Sequence, residues 1–185
     1  MATSTKEEIF AEIEIPVNVN VRMDGNTFIV DGKLGTLRKD ITKLPIVVDV
    51  KDKKLVIRPP GTRKKDHAVT NTAKSIIQSM IKGVESGFTY KLKVVYAHFP
   101  ISVKTKGKEI HVENYFGERA PRVSHIVGDT TKVNVMGEDV IVQGPSLQDV
   151  SQTAANIESS TKLKGKDQRV FLDGLYIYSR EEGMS

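Results

Sequence analysis

The residues of this chain best suited to chemistry are cations set beside glycine, and the chemistry they suit is contact with phosphate. Lys162, Lys164 and Lys166 bracket Gly165, and Arg169 follows within reach. A glycine has no Cβ, so backbone and ammonium groups can approach a polyanion together there. Lys104, Lys106 and Lys108 alternate along a hairpin tip, a spacing that lays their side chains one way along a phosphate ladder or leaves them as plain surface charge. Arg119 and Arg122 flank Ala120-Pro121, and an arginine fork can hold phosphate at two points or stack on a base. Arg63, Lys64 and Lys65 follow Pro59-Pro60-Gly61, which stiffens and bends the chain; solvated turn and RNA contact fit them equally. Lys51, Lys53 and Lys54 read better as a solubilising hairpin tip.

The residue patterns of catalysis are missing. There is no Gly-x-x-x-x-Gly-Lys-Ser/Thr loop, no Gly-x-Gly-x-x-Gly turn and no Gly-x-Ser-x-Gly elbow. His67, His98, His111 and His125 are scattered without a partner at ligand spacing, and Asp129, Glu138 and Asp139 stand in turn-like stretches. With no cysteine, the chain has no disulfide framework, thiolate site or cysteine nucleophile, which fits a reducing compartment. Met1 to Phe10 lack the apolar core of a signal peptide and no apolar run reaches membrane-span length, so a soluble, intracellular protein is expected. No cofactor, metal, membrane or small-molecule substrate is called for.

The chain has 185 residues, 28 Lys+Arg against 23 Asp+Glu and a formal net charge of +5, a mild excess whose distribution matters more than its size. The charge falls in connections and hairpin tips, not along one face of a helix as a reader of the DNA major groove would carry it. Paired aromatics of an RNA-recognition sheet are absent as well. The arrangement suits folded RNA gripped by shape and backbone.

The elements that must position these loops come in two similar sets. Alternation over Ile13–Val21, turns at Asp24-Gly25 and Asp31-Gly32, and a hairpin joining Ile46–Val50 to Leu55–Ile57 predict strands. Val69, Ala73, Ile76, Ile77 and Met80 then mark a helix stripe, with Asp66 as N-cap and Gly83 at its end. The order repeats. Tyr90–His98 opens with a strand, Ile101–Val103 and Ile110–Val112 form a hairpin, and Val133–Val135 pairs with Val140–Val142. Val150, Ala154, Ile157 and Thr161 give a second helix, and Leu175–Tyr178 a terminal strand. The expected fold is α+β, two tandem similar domains at 1–84 and 85–185, each an antiparallel β-sheet packed with one main α-helix; the second carries the main basic loop.

The string Lys166, Asp167, Arg169, Phe171, Asp173, Gly174 and Tyr176 has the spacing Lys-Asp-x-Arg-x-Phe-x-Asp-Gly-x-Tyr. It resembles the C-terminal signature of the sixth large-subunit ribosomal protein family in its archaeal and eukaryotic form, and departs from the bacterial version at Asp167. The resemblance runs from about the first strand to Tyr178, motif-grade in this stretch and agreeing in layout elsewhere. It implies a structural protein of two repeated domains that binds large-subunit rRNA near the stalk base and factor-binding region, with neighbouring ribosomal proteins as partners. The rival readings are a free-standing RNA-binding or chaperone protein and a hydrolase built on the scattered histidines and carboxylates.

Overall fold

The computed structural model describes residues 11–51, 54–167 and 169–184. Met1–Phe10 and Lys53 of the expected hairpin tip lie outside the described residues. The chain divides into two compact units, Met1–Glu85 and Ser86–Ser185.

In the first unit, alternating apolar residues give β1 (Ala11–Glu14), β2 (Asn20–Asp24), β3 (Thr27–Gly32), β4 (Gly35–Asp40), β5 (Val47–Lys51) and β6 (Lys54–Arg58), followed by α1 (Lys64–Glu85). The strands fall into two antiparallel sheets, ordered β1-β6-β5 and β2-β3-β4, where sequence alone suggested one sheet per domain. Periodicity marks which residues are strands but not which strands share a ladder. Phe28, Val30, Leu55, Ile57, Ile77 and Val84 fill the core between sheets and helix, each at most 1% exposed.

Helix α1 begins and ends differently from its sequence signals. Arg63 precedes the first turn, and the Asp66 carboxylate reaches back to accept the Arg63 backbone N–H at 3.3 Å, the return half of a capping box. Gly83 is buried inside the helix, which runs two residues further; the left-handed Gly87, φ 78°, follows its end.

The second unit repeats the plan with one addition. Its strands are β7 (Phe88–Val95), β8 (Ser102–Lys106), β9 (Glu109–Glu113), β10 (Arg122–His125), β11 (Lys132–Met136) and β12 (Asp139–Gly144), then α2 (Leu147–Ser160) and β13 (Gly174–Glu182). The order β7-β12-β11 mirrors β1-β6-β5, and β10-β9-β8 mirrors β4-β3-β2. The extra strand β13 pairs antiparallel with the free edge of β7, Leu175 opposite Val94 and Ile177 opposite Leu92. Ser146 caps α2 by accepting the Asp149 N–H. Val150, Ala154 and Ile157 of α2 pack fully buried on Leu92, Val112, Val140 and Val142. Eleven residues join Thr161 at the end of α2 to Asp173 before β13, and that connection is the basic loop.

Candidate phosphate-binding surface of the second unit

The loop is held at its two stems by one buried tyrosine. Tyr115 sits in a short 3-10 turn, Tyr115–Gly117, and is 1% exposed. Its hydroxyl donates to the Thr161 carbonyl at 2.7 Å and lies 3.4 Å from the Asp173 carbonyl, so a single side chain spans both ends of the connection. Burial raises the Tyr115 pKa above the ordinary phenol value, which keeps the hydroxyl a donor. Thr161 strengthens the same joint: its hydroxyl donates to the Glu158 carbonyl and accepts the Leu175 N–H at 3.0 Å. The buried Asp173 carboxylate accepts the Ala97 N–H.

Between these stems the chain turns on itself. Val170 and Phe171 donate backbone N–H groups to the Asp167 carbonyl, and Asp167 pairs with Arg169, Nη2 to Oδ2 at 2.9 Å. The arginine hydrogen bond holds the Asp167 carboxyl below its usual range. Gly165 takes φ 72° with nothing within 4 Å of where a Cβ would stand. Lys162, Lys164 and Lys166 are exposed, and no carboxylate pairs with any of them among the described residues. Lys166 instead lies over two aromatic rings, its Nζ 4.4 Å from the Phe116 centroid and 5.1 Å from that of Phe171. Phe116 has φ 49°, a left-handed conformation that costs a side chain of this size about 1–2 kcal/mol.

The two arginines after the turn divide in role. Arg122 is committed within the fold: Nε and Nη2 grip both oxygens of Glu118 at 2.9 and 2.6 Å, Nη1 donates to the Ser160 carbonyl, and the guanidinium stacks on Tyr115 at 4.0 Å. Hydrogen bonding to Glu118 raises the Arg122 pKa and lowers that of Glu118. Arg119 is exposed and forms no ion pair among the described residues. It is the arginine available to an outside ligand.

At the β8–β9 hairpin the alternating lysines are partly neutralised. Lys104 pairs with Glu113 at 2.6 Å and lowers its pKa, and Lys108 is joined to Asp129. Lys106 has no acidic partner of that kind among the described residues. Sequence spacing placed Lys104 and Lys106 on one strand face, but a carboxylate diagonal across the ladder is invisible without the register Ser102 to Glu113. In the first unit Arg63, Lys64 and Lys65 are exposed at the start of α1, and Lys54 pairs with Glu12 at 3.2 Å. Tyr115 is the residue that sequence reasoning did not single out, because its partners are 46 and 58 positions away.

A cavity of about 420 Å³ lies beneath the loop, lined in part by Glu158, Thr161, Leu172 and Tyr176. Two of its polar groups serve the fold, Glu158 by accepting the Ile177 N–H and Thr161 by tying the stems, and Lys162 of the loop lines it too. Among the described residues no group of three or more His, Asp or Glu could hold a metal ion, and no helix is long and apolar enough to cross a membrane. His111 lies 3.0 Å from Glu109, and His98 stacks edge-on against Phe99.

Comparison with known proteins adds three findings. The family model described as ribosomal protein L6 matches the chain twice, over residues 15–87 and 99–174, one match to each unit. The large ribosomal subunit protein uL6 of Staphylothermus marinus is 41% identical over 173 residues, covering 92% of this chain and 94% of its own length. Those of Methanosphaera stadtmanae and Methanococcus vannielii are 42% and 43% identical over 170 residues, covering 92% and 91% of this chain and 92% of their own.

Proposed function

We propose that this chain, which belongs to the ribosomal protein L6 family, is a structural constituent of the large ribosomal subunit that holds large-subunit rRNA by bringing Lys and Arg to phosphates. The observation that carries this reading is the loop from Lys162 to Asp173: three exposed lysines that form no ion pair among the described residues, on a connection whose stems are locked by Tyr115. A flexible basic tail would lose conformational entropy on binding; a loop closed at both stems has given up much of it already. Each phosphate contact releases condensed counterions, so affinity falls steeply with salt.

Lys162, Lys164, Gly165, Lys166 and Arg169 form the principal contact, with Arg119 and Lys106 as outlying cations. Arg122 acts behind them, fixing the turn that presents Arg119. Arg63, Lys64 and Lys65 offer a second, independent contact from the first unit. By family resemblance the RNA site lies near the stalk base and factor-binding region, with neighbouring ribosomal proteins at hand, and the protein works in the cytoplasm within the ribosome. The family is that of a ribosomal protein, not of an enzyme.

The test is co-sedimentation of the full chain with large subunits at moderate salt, followed by the triple variant Lys162→Ala, Lys164→Ala, Lys166→Ala. The wild type is expected to track the large subunit in near-equal amount. The variant should fold normally and show a salt slope flatter by about 0.9 for each phosphate that it no longer neutralises. A wild-type chain that stays free at the top of the gradient would instead favour a free-standing RNA-binding protein. A variant with unchanged slope would remove the loop from the interaction.

A further inference from the structure

Of the seven residues in the string Lys166–Tyr176 that carries the family resemblance, most have a task inside the molecule. Asp167 and Arg169 pair to shape the turn, and Asp173 is buried against the Ala97 N–H. Gly174 begins β13, with Thr161 Oγ1 and the Tyr176 ring each 3.4 Å from where its Cβ would stand, so neither it nor Tyr176 is idle. Phe171 is different. The residue is 40% exposed and makes no side-chain hydrogen bond, and its neighbours Val170 and Leu172 are 70% and 59% exposed.

The Phe171 ring is nonetheless placed. It meets the Phe116 ring edge-on at 6.0 Å, and Phe116 is held there by a left-handed backbone that a residue of its bulk rarely adopts. Lys166 lies over both rings, and Lys162, Lys164 and Arg119 are exposed on the same unit. An apolar ring rimmed by cations is a poor match to the apolar patch of a protein, which would bury those charges. It matches a nucleotide, which presents a flat π-face beside an anion.

We propose that Phe171, backed by Phe116 and flanked by Lys166, is a stacking platform for an unpaired base, so that the loop takes RNA at a bulge, loop or flipped nucleotide and not along a regular duplex. The inference rests on the phosphate-binding reading of the loop and names the class of RNA it selects. Lys166 supplies charge next to the stacked base; Phe171 supplies the selectivity for an exposed one.

The experiment uses the full chain and two short RNA hairpins of one sequence, one with a single bulged 2-aminopurine and one fully paired. Stacking on a ring quenches 2-aminopurine emission. Wild type should bind the bulged hairpin more tightly and quench it. Phe171→Leu, which keeps an apolar side chain but loses the π-face, should bind about 5- to 100-fold more weakly, without quenching and with an unchanged salt slope. Phe171→Tyr should restore both. Equal binding of the two hairpins, or quenching that survives in Phe171→Leu, overturns the platform while the salt slope keeps the phosphate contacts. A Phe171→Leu chain that binds RNA normally yet leaves the large subunit would assign the ring to a protein neighbour and overturn it too. Failure of the wild type to bind either hairpin with a salt slope would remove the phosphate reading itself.

Discussion

Replacing Tyr115 with Phe removes one oxygen from the joint on which the basic loop hangs. The ring stays, and with it the core volume and the stacking of Arg122 at 4.0 Å. What disappears is a buried hydroxyl donor 2.7 Å from the Thr161 carbonyl and 3.4 Å from that of Asp173. A buried acceptor left without its partner costs about 1–3 kcal/mol. Taking about 1.5 kcal/mol and a urea slope of about 2 kcal/mol/M for a unit of this size, the midpoint should fall by roughly 0.7 M. The chain provides its own probe: it has five tyrosines and no tryptophan, and all five, Tyr90, Tyr96, Tyr115, Tyr176 and Tyr178, lie in the second unit. Tyrosine fluorescence therefore follows that unit alone. Because Tyr115→Phe changes no charge, RNA affinity should fall through the added disorder of the loop while the salt slope stays as in the wild type. A midpoint within error of the wild type would show that the hydroxyl carries no load, and the account of a loop pre-ordered by its stems would fail with it.

Two further outcomes bear on the supporting structure. Glu118, held below its ordinary pKa by Arg122, stabilises the folded state above the unfolded carboxylate pKa of about 4.3 and loses that contribution as pH falls through its lowered folded value. The pair is partly exposed, so Glu118→Gln should lower stability at pH 7 by no more than about 1 kcal/mol, with the gap to wild type closing below pH 4 in urea titrations. In the first unit, a Cβ added at Gly32 would stand 2.6 Å from Val84 Cγ2, so Gly32→Ala should destabilise that unit by about 1–3 kcal/mol, visible in circular dichroism and silent in tyrosine fluorescence.

What could be read from the sequence follows from where each signal resides. The strands around Val30, Ile57, Leu92 and Val142 and the stripes of both helices are local patterns of period two and 3.6, and the described elements bear them out. The family string marked the basic loop for the same reason: its residues are adjacent. The clamp was out of reach because Tyr115, Thr161 and Asp173 meet only through folding. The pairing of Lys104 with Glu113 depends on strand register, and the grip of Arg122 on Glu118 joins residues four apart that no helix aligns. Asp66 looked like an N-cap because it is the acidic residue nearest the apolar stripe; it caps from inside the first turn instead. Two sheets in place of one per unit is the same limit at larger scale.

The strand β13 also dictates when the second unit can form. Its partner β7 opens the unit, and the ladder joins residues as far apart as Phe88 and Glu182, 94 positions along the chain. Further on, the Gly183 N–H bonds to the Gly87 carbonyl and the Met184 N–H to that of Ser86, so the end of β13 closes on the place where the unit starts. During synthesis the first unit closes its last ladder at β6, ahead of α1, whereas the four-stranded sheet of the second is incomplete until β13 emerges. The loop at Lys162–Asp173 has no second stem until that moment. A chain cut short before β13 would carry every lysine of the loop and lack its second stem, so, if the loop binds RNA as proposed, unfinished copies should bind it more weakly than the full chain.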